Sequence, residues 1–368
     1  MTTSAIDRRF MAAAIRLSRQ HKGRTSTNPA VATLIVRNDG NGPVIVGRGV
    51  TAIGGRPHAE TQALAEAGER ARGATAYVTL EPCAHHGRTP PCADALVTAG
   101  VARVVGAATD PDPRVSGKGY AILRKAGVAV DERVLADEAA DLMAGYLIRS
   151  IRKRPEVVLK LALSADGMIG RLGEGQVAIT GATARAQAHL MRMEADAIVV
   201  GIGTALADDP WLTVRLPGLE GRSPARIVLD RLAKLPVTTK LARSAHEVPL
   251  MIAVGPEADK ERKAALAAAG AGFLATETYD GRIALPELLE DLAARGMSSV
   301  MVEGGADTAR AFLDDDLVDR IILFRGLGAI GRGGIASPID HDHIPGGFRL
   351  VREARFGEDR YAEWMRAI

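Results

Sequence analysis

A basic, Pro-terminated stretch at 149–155, RSIRKRP, divides this chain into two blocks, and each block alternates helical and extended patterns. Alternation of that kind is the signature of layered α/β domains, and it limits the chain to folds in which helices cover a sheet. With 368 residues the chain holds two to three typical domains, so two separate cores are expected. The boundaries read as 1–148 for the first domain, 149–155 for a linker and 156–368 for the second. RSIRKRP could bind nucleic acid or a membrane, but a solvated helix end and linker is the plainer reading.

In the first block, residues 7–20 place apolar groups at helical spacing. VATLIV at 31–36 reads as a buried strand, DGNG at 39–42 as a turn and VIVGRGV at 44–50 as the antiparallel return. Helix 58–70, strand 75–80, a short helix from Cys92 to Ala99, strand 101–107, helix 117–126 and strand 127–134 follow. The second block predicts strands at 157–163, 196–201, 226–230, 248–254, 298–302 and 318–324. Helices are predicted at 182–194, 259–269, 286–295 and 305–314, which together imply a largely parallel sheet.

Composition excludes several classes. No run of about 18 apolar residues is present to span a bilayer, and MTTSAIDRRF lacks a secretory pattern, so a cytoplasmic location is expected. Lys and Arg number 47 against 44 Asp and Glu, and six Phe, two Trp and five Tyr are too few for a base-stacking surface. A nucleic-acid partner is not expected. Only two cysteines occur, Cys83 and Cys92, which suits metal ligation or redox chemistry better than a disulfide scaffold.

The cysteines sit in a suggestive context. Pro57-His58-Ala59-Glu60 opens a helix, and Glu81-Pro82-Cys83 and Pro91-Cys92 each open a further turn, offering one imidazole and two thiolates. Catalytic zinc is commonly held by three protein ligands with one position left for water, and helix N-termini favour the thiolate form. A carboxylate two residues past the His, Glu60, can take a proton from that water and pass it to a leaving group. This is the logic of zinc nucleobase deaminases, with H-x-E followed by P-C-x-x-C, although eight residues separate the cysteines here. A structural zinc completed by His85 or His86 is the competing possibility, and it leaves Glu60 without a purpose. Within the insert AHHGRTPP, Arg88 has the chemistry to grip a phosphate or carboxylate. Asn28, just ahead of the first core strand, could read an amide-like pyrimidine edge, or simply form a turn with Pro29.

TLEPCAHHGRTPPC, PHAE and TDPDPRVSGKG, together with KLALSADG at 160–167, VGIGTALADDPWLTVR at 200–215, RIVLD at 226–230 and VEGG at 302–305, closely resemble the bifunctional riboflavin-biosynthesis deaminase/reductases. The resemblance spans nearly the whole chain. It implies an α/β architecture in which a cytidine-deaminase-like N-terminal domain precedes a dihydrofolate-reductase-like C-terminal domain. The implied activities are zinc-dependent deamination of a diaminopyrimidinone carrying a phosphoribosylamino group, then NADPH-dependent reduction of the ribosyl moiety to ribityl phosphate. By that pattern His58, Cys83 and Cys92 bind Zn2+, Glu60 shuttles the proton, and Asn28, Arg88, Asp110 and Asp112 line the substrate pocket. A small phosphorylated pyrimidine is the implied substrate, and a homo-oligomer, dimer or tetramer, the expected assembly.

The second block speaks less clearly by itself. Gly201-Ile202-Gly203 follows a strand, but Leu206 stands where a dinucleotide fingerprint needs its third glycine. Glu303-Gly304-Gly305 lies between the strand SSVMV and the helix ADTARAFL, so backbone amides there could bind phosphate, or the segment could be a plain turn. Arg192 and Arg215 could meet the substrate phosphate or form surface ion pairs. The resemblance implies Lys160, Gln176, Arg192, Leu212, Arg215 and Glu303 on the substrate side. It implies Ala162, Thr180, Thr204, Asp208 and the segment from Gly305 on the NADPH side. Two departures stand out: Ala178 replaces a commonly found Trp, and VAT at 31–33 replaces a more usual Val-Gly. Activity is expected to survive both. The rivals are a zinc deaminase of another nucleotide with a degenerate second domain, and a non-enzymatic zinc-stabilised binding module with a closed site.

Overall fold

A computed structural model describes residues 4–86, 90–113 and 115–367. The chain forms two compact units that divide between Arg152 and Lys153.

The first unit runs α1 (Ala5–Ser18), β1 (Ala32–Asn38), β2 (Pro43–Val50), α2 (Ala59–Ala67), β3 (Thr75–Leu80), α3 (Cys92–Thr98), β4 (Arg103–Ala108), α4 (Lys118–Lys125), β5 (Ala129–Asp131), α5 (Ala136–Leu142) and α6 (Ala144–Arg152). Its sheet has the order β2-β1-β3-β4-β5. The β1–β2 and β1–β3 pairings are antiparallel, so 32–50 is a hairpin, and β3–β4 and β4–β5 are parallel. Ser4 and Asp7 form a reciprocal capping box at α1, satisfying backbone donors that a helix start leaves free. On the face covered by α2, α3 and α4 the core gathers Ile35, Val78, Leu96, Val104 and Leu123, and on the other Leu34 and Tyr77 face α1. Helix α2 lies hard against β2. A Cβ on Gly49 would stand 2.1 Å from the Ala59 carbonyl oxygen, so only glycine allows the first turn of α2 to come this close. Helix α6 runs on to Arg152, inside the stretch that reads as linker.

The second unit runs β6 (Glu156–Leu163), β7 (Met168–Arg171), α7 (Ala182–Arg192), β8 (Ala197–Gly201), α8 (Ile202–Asp208), β9 (Ala225–Leu229), α9 (Lys240–Arg243), β10 (Leu250–Val254), α10 (Lys260–Ala268), β11 (Gly272–Ala275), β12 (Thr278–Tyr279), β13 (Arg282–Ile283), α11 (Leu285–Ala294), β14 (Ser299–Val302), α12 (Ala306–Asp314), β15 (Arg320–Arg325), β16 (Gly334–Ala336), β17 (Phe348–Phe356) and β18 (Asp359–Arg366). Its main sheet is nine-stranded, β11-β10-β9-β8-β14-β6-β15-β18-β17. Every pairing from β11 to β15 is parallel, and the β17–β18 hairpin adds antiparallel strands at one edge. Parallel strands buried on both faces read as unbroken apolar runs, and Ala197–Val200 is one. Arg154 is not solvated, contrary to the linker reading. It is buried, and its guanidinium donates to Asp319 at 2.5 and 2.8 Å, because a charge brought into the fold needs a paired acceptor.

Candidate active sites

In the first unit, three turns deliver three ligand atoms to one point. His58 is the N-cap of α2, Cys83 lies in the loop after β3, and Cys92 is the first residue of α3. One ligand atom from each lies within 4.8 Å of the others. His58 Nδ1 stands 3.8 Å from Cys83 Sγ and 3.4 Å from Cys92 Sγ, and the Cys92 backbone N–H donates to Cys83 Sγ at 3.2 Å. Among the described residues no His, Cys, Asp or Glu joins this group as a fourth ligand, so His85 and His86 do not close the site. One nitrogen and two sulfurs with an open fourth position is a zinc-type donor set with the geometry of catalysis.

The electrostatics agree. Cys83 is held down to about 4 by the hydrogen bond from Cys92, with His58 adding to the effect against the cost of burial. Cys92 is pushed far up by the same hydrogen bond, by burial and by Glu60. A cation held by both sulfurs takes them as thiolates, so its binding would release protons. Glu60, in the first turn of α2, is 4% exposed. Burial, then the Cys83 charge, push its carboxyl up to about 7, a value suited to moving a proton near neutrality.

Glu81 is a residue that the sequence reading passes over. Its carboxylate accepts the backbone N–H of Gly117 at 3.0 Å and of Gly119 at 3.1 Å, clamping the Glu81-Pro82-Cys83 turn to the start of α4. Asp110 is buried and close enough to feel the Cys83 charge. It accepts the Asp112 N–H at 2.9 Å, and Tyr146 O–H donates to both its oxygens, at 3.0 and 3.1 Å. Burial raises the Asp110 pKa. Asn28 is half-buried, closes a turn with Thr25 and packs its amide against Gly55, just before the segment that enters His58. Arg88 lies outside the described residues.

In the second unit, a cleft of about 1990 Å³ opens where β8, β9 and β14 end, the crevice in which open α/β sheets bind ligands. Lys160, Gln176, Arg192, Arg215 and Glu303 line it, as do Ala162, Thr180, Thr204, Asp208 and Gly305. Leu212 does not; it is buried in the core with left-handed backbone. Arg192 donates to Glu303 through Nε at 2.6 Å and Nη2 at 2.9 Å, and Lys160 Nζ lies 3.8 Å from Glu303. Burial alone would raise the Glu303 carboxyl, but these cations hold it at about 2. Thr204 Oγ1 accepts the Gly305 N–H at 2.9 Å, fastening the turn before α12. Gly201 begins α8 as its N-cap. Ala178 lines the cleft and is exposed, so the missing indole leaves open surface.

Fold and site together define a two-unit enzyme in which a zinc-ligating deaminase unit precedes an α/β reductase unit. The cytidine and deoxycytidylate deaminase zinc-binding region matches residues 4–108, and the RibD C-terminal domain matches residues 155–359. The chain belongs to the RibD family of riboflavin biosynthesis proteins. It is 39% identical to RibD of Aquifex aeolicus over 328 residues, 89% of each chain. Against RibD of Escherichia coli it is 38% identical over 341 residues, 89% of this chain and 90% of the relative. Among solved structures, Acinetobacter baumannii RibD superposes with a TM-score of 0.83 at 35% identity, covering 98% of this chain and 99% of that one. The diaminohydroxyphosphoribosylaminopyrimidine deaminase/5-amino-6-(5-phosphoribosylamino)uracil reductase of Thermotoga maritima gives 0.83 at 32% identity with the same coverage. The first unit is thus of cytidine-deaminase type, and the second is the dihydrofolate-reductase-like reductase domain of this family.

Proposed function

We propose that the chain carries out two successive steps of riboflavin biosynthesis. The first unit hydrolyses the exocyclic amine from 2,5-diamino-6-(5-phosphoribosylamino)pyrimidin-4-one, releasing ammonia. The second uses NADPH to reduce the ribosyl group of the resulting uracil to ribityl phosphate. The convergence of His58, Cys83 and Cys92 beside a buried Glu60 carries the first half of this reading.

Zinc, when bound by those three side chains, supplies Lewis-acid activation of water. Glu60 takes the proton from water as oxygen adds to the amine-bearing carbon, then returns it to the departing nitrogen. Its raised pKa suits both transfers. Asp110, oriented by Tyr146, offers an acceptor for the pyrimidine's N–H groups, and by the family resemblance Asn28, Asp112 and Arg88 also serve the substrate. In the reductase, NADPH supplies the hydride. Thr180, Thr204, Asp208 and the Gly305 turn bind and orient it, with Ala162 giving room. Lys160, Gln176, Arg192, Arg215 and Glu303 hold the sugar phosphate, and Leu212 supports them from the core. A degenerate second unit has no support: the Lys160–Glu303–Arg192 cluster is intact.

No described helix is long and apolar enough to cross a membrane. A cytoplasmic location is proposed from the phosphorylated substrate and the NADPH that the reaction draws on. A homo-oligomer, dimer or tetramer, is the assembly proposed by the family resemblance. Incubation with zinc, NADPH and the diaminopyrimidinone phosphate tests the function. Ammonia release followed by loss of 340-nm absorbance is expected, and NADPH oxidation without prior ammonia release would refute the order of steps.

A further inference from the structure

His189 belongs to none of the roles assigned above, yet it lines the reductase cleft. It sits three residues before Arg192 on α7, so both side chains leave the same face of the helix. Both reach the segment after α8. His189 Nδ1 stands 3.1 Å from the Thr213 carbonyl oxygen and 3.4 Å from the Arg215 backbone nitrogen, and Arg192 Nη1 donates to the same carbonyl at 3.0 Å. In either tautomer the ring is tied to this segment. A protonated Nδ1 donates to Thr213, and an unprotonated one accepts from Arg215.

The segment needs holding. Asp209 and Leu212 both adopt left-handed backbone, φ 38° and 53°, a conformation that side chains other than glycine resist. Buried Arg226 reaches the Trp211 carbonyl at 3.4 Å, and Ser223 Oγ accepts the Val214 N–H at 3.0 Å. Of these clamps, His189 is the one that reaches Arg215 itself.

Arg215 is the reason the clamp matters. Among the described residues no carboxylate forms an ion pair with it, whereas neighbouring Arg192 is neutralised by Glu303. It therefore presents to the cleft a guanidinium that no carboxylate holds in an ion pair, suited to a phosphate. Burial first, then the charges of the same two arginines, lowers the His189 pKa to about 4 against the opposing Glu303 charge and the Thr213 carbonyl, so the ring is neutral at physiological pH.

We propose that His189 is a positioning residue of the reductase site, holding Thr213–Arg215 so that the Arg215 guanidinium faces the phosphate of the bound sugar. This rests on the reductase reading above, and the test separates the two. Ribose 5-phosphate is titrated calorimetrically into the full-length protein, without NADPH. His189→Ala is expected to weaken its binding about tenfold, the scale of a misplaced binding group. His189→Asn, whose amide sits near the Nδ1 position, restores affinity to within about threefold, and His189→Gln, whose amide sits near Nε2, does not. In an Arg215→Ala background the His189→Ala change has no further effect, because His189 acts through Arg215. NADPH affinity, read by its fluorescence, stays within about twofold in all variants and reports a folded second unit. With the deaminated substrate, His189→Ala raises KM by a similar factor and leaves kcat within about threefold. Additivity of His189→Ala with Arg215→Ala, equal rescue by Asn and Gln, loss of NADPH affinity, or no binding of ribose 5-phosphate by the wild type overturns the proposal. A wild type that binds ribose 5-phosphate through His189 but never oxidises NADPH overturns the functional reading and leaves the positioning role standing.

Discussion

Arg192 at the end of α7 grips Glu303 just past β14 through two hydrogen bonds, Nε to Oε1 at 2.6 Å and Nη2 to Oε2 at 2.9 Å. Lys160 on β6 stands 3.8 Å from the same carboxylate, and its own pKa is lowered, by burial first. Two largely buried cations thus depend on one anion. Glu303→Ala leaves both uncompensated and is expected to destabilise the second unit by about 3–5 kcal/mol, the cost of breaking a buried pair. Reduction should fall by more than about 100-fold, corresponding to about 2.7 kcal/mol of transition-state stabilisation, while ammonia release persists. Urea unfolding with parallel assays of both activities checks this. An unchanged unfolding midpoint would show that the cluster does not stabilise the fold.

The same carboxylate makes stability depend on pH in a defined window. Its pKa is depressed to about 2 from an ordinary 4.5, because the Arg192 and Lys160 charges outweigh burial. A depressed carboxylate contributes fully above its unfolded value and loses that contribution as pH falls through its folded value. The stability gap between wild type and Glu303→Gln should therefore be constant from pH 8 to 5 and narrow between 4.5 and 2. Urea midpoints across that range measure it. Parallel curves for the two proteins down to pH 2 would remove Glu303 as the cause.

Glu60→Gln keeps the shape of the side chain and removes its capacity to carry a proton. The ligand set His58, Cys83 and Cys92 is untouched, so zinc content should remain near one per chain. Ammonia release should fall by about 100- to 10,000-fold, the range that general acid–base groups contribute. NADPH-dependent reduction of already deaminated substrate should be unaffected. Metal analysis alongside the two assays decides. Near-normal deamination in this variant is incompatible with the proton-shuttle role.

The zinc-type constellation was legible in the sequence because each member stands at a helix start or beside a proline, positions with strong local signals. His58 and Cys92 are of this kind. The alternation of both blocks was legible for the same reason, as was the hairpin at 32–50. The β17–β18 hairpin escaped, since edge residues such as Arg349, Glu353 and Arg355 are exposed and dilute the apolar pattern. Tertiary partners escaped too. Tyr146 meets Asp110 from 36 positions away, and Glu81 meets Gly117 from a similar distance, separations no local pattern encodes. His189 carried a faint signal, three residues from Arg192 on one helix face, but its partners at 213 and 215 come only with the fold.

Gly119 offers a test of how the metal-ligating loop is held. A Cβ there would lie 2.0 Å from the Pro82 carbonyl oxygen and 3.1 Å from its carbonyl carbon, both backbone atoms that cannot swing aside. Gly119→Ala must therefore push α4 away from the Glu81-Pro82-Cys83 turn and strain the hydrogen bonds from the Gly117 and Gly119 N–H groups to Glu81. Cys83 is the residue displaced. Because groups that orient a ligand typically contribute about 10- to 100-fold in metal affinity, zinc binding should weaken by about that factor. Competition with a chromophoric chelator measures the affinity, and reductase activity serves as the control for the rest of the chain. Zinc affinity equal to the wild type would show that Cys83 is held by its own turn, independent of α4.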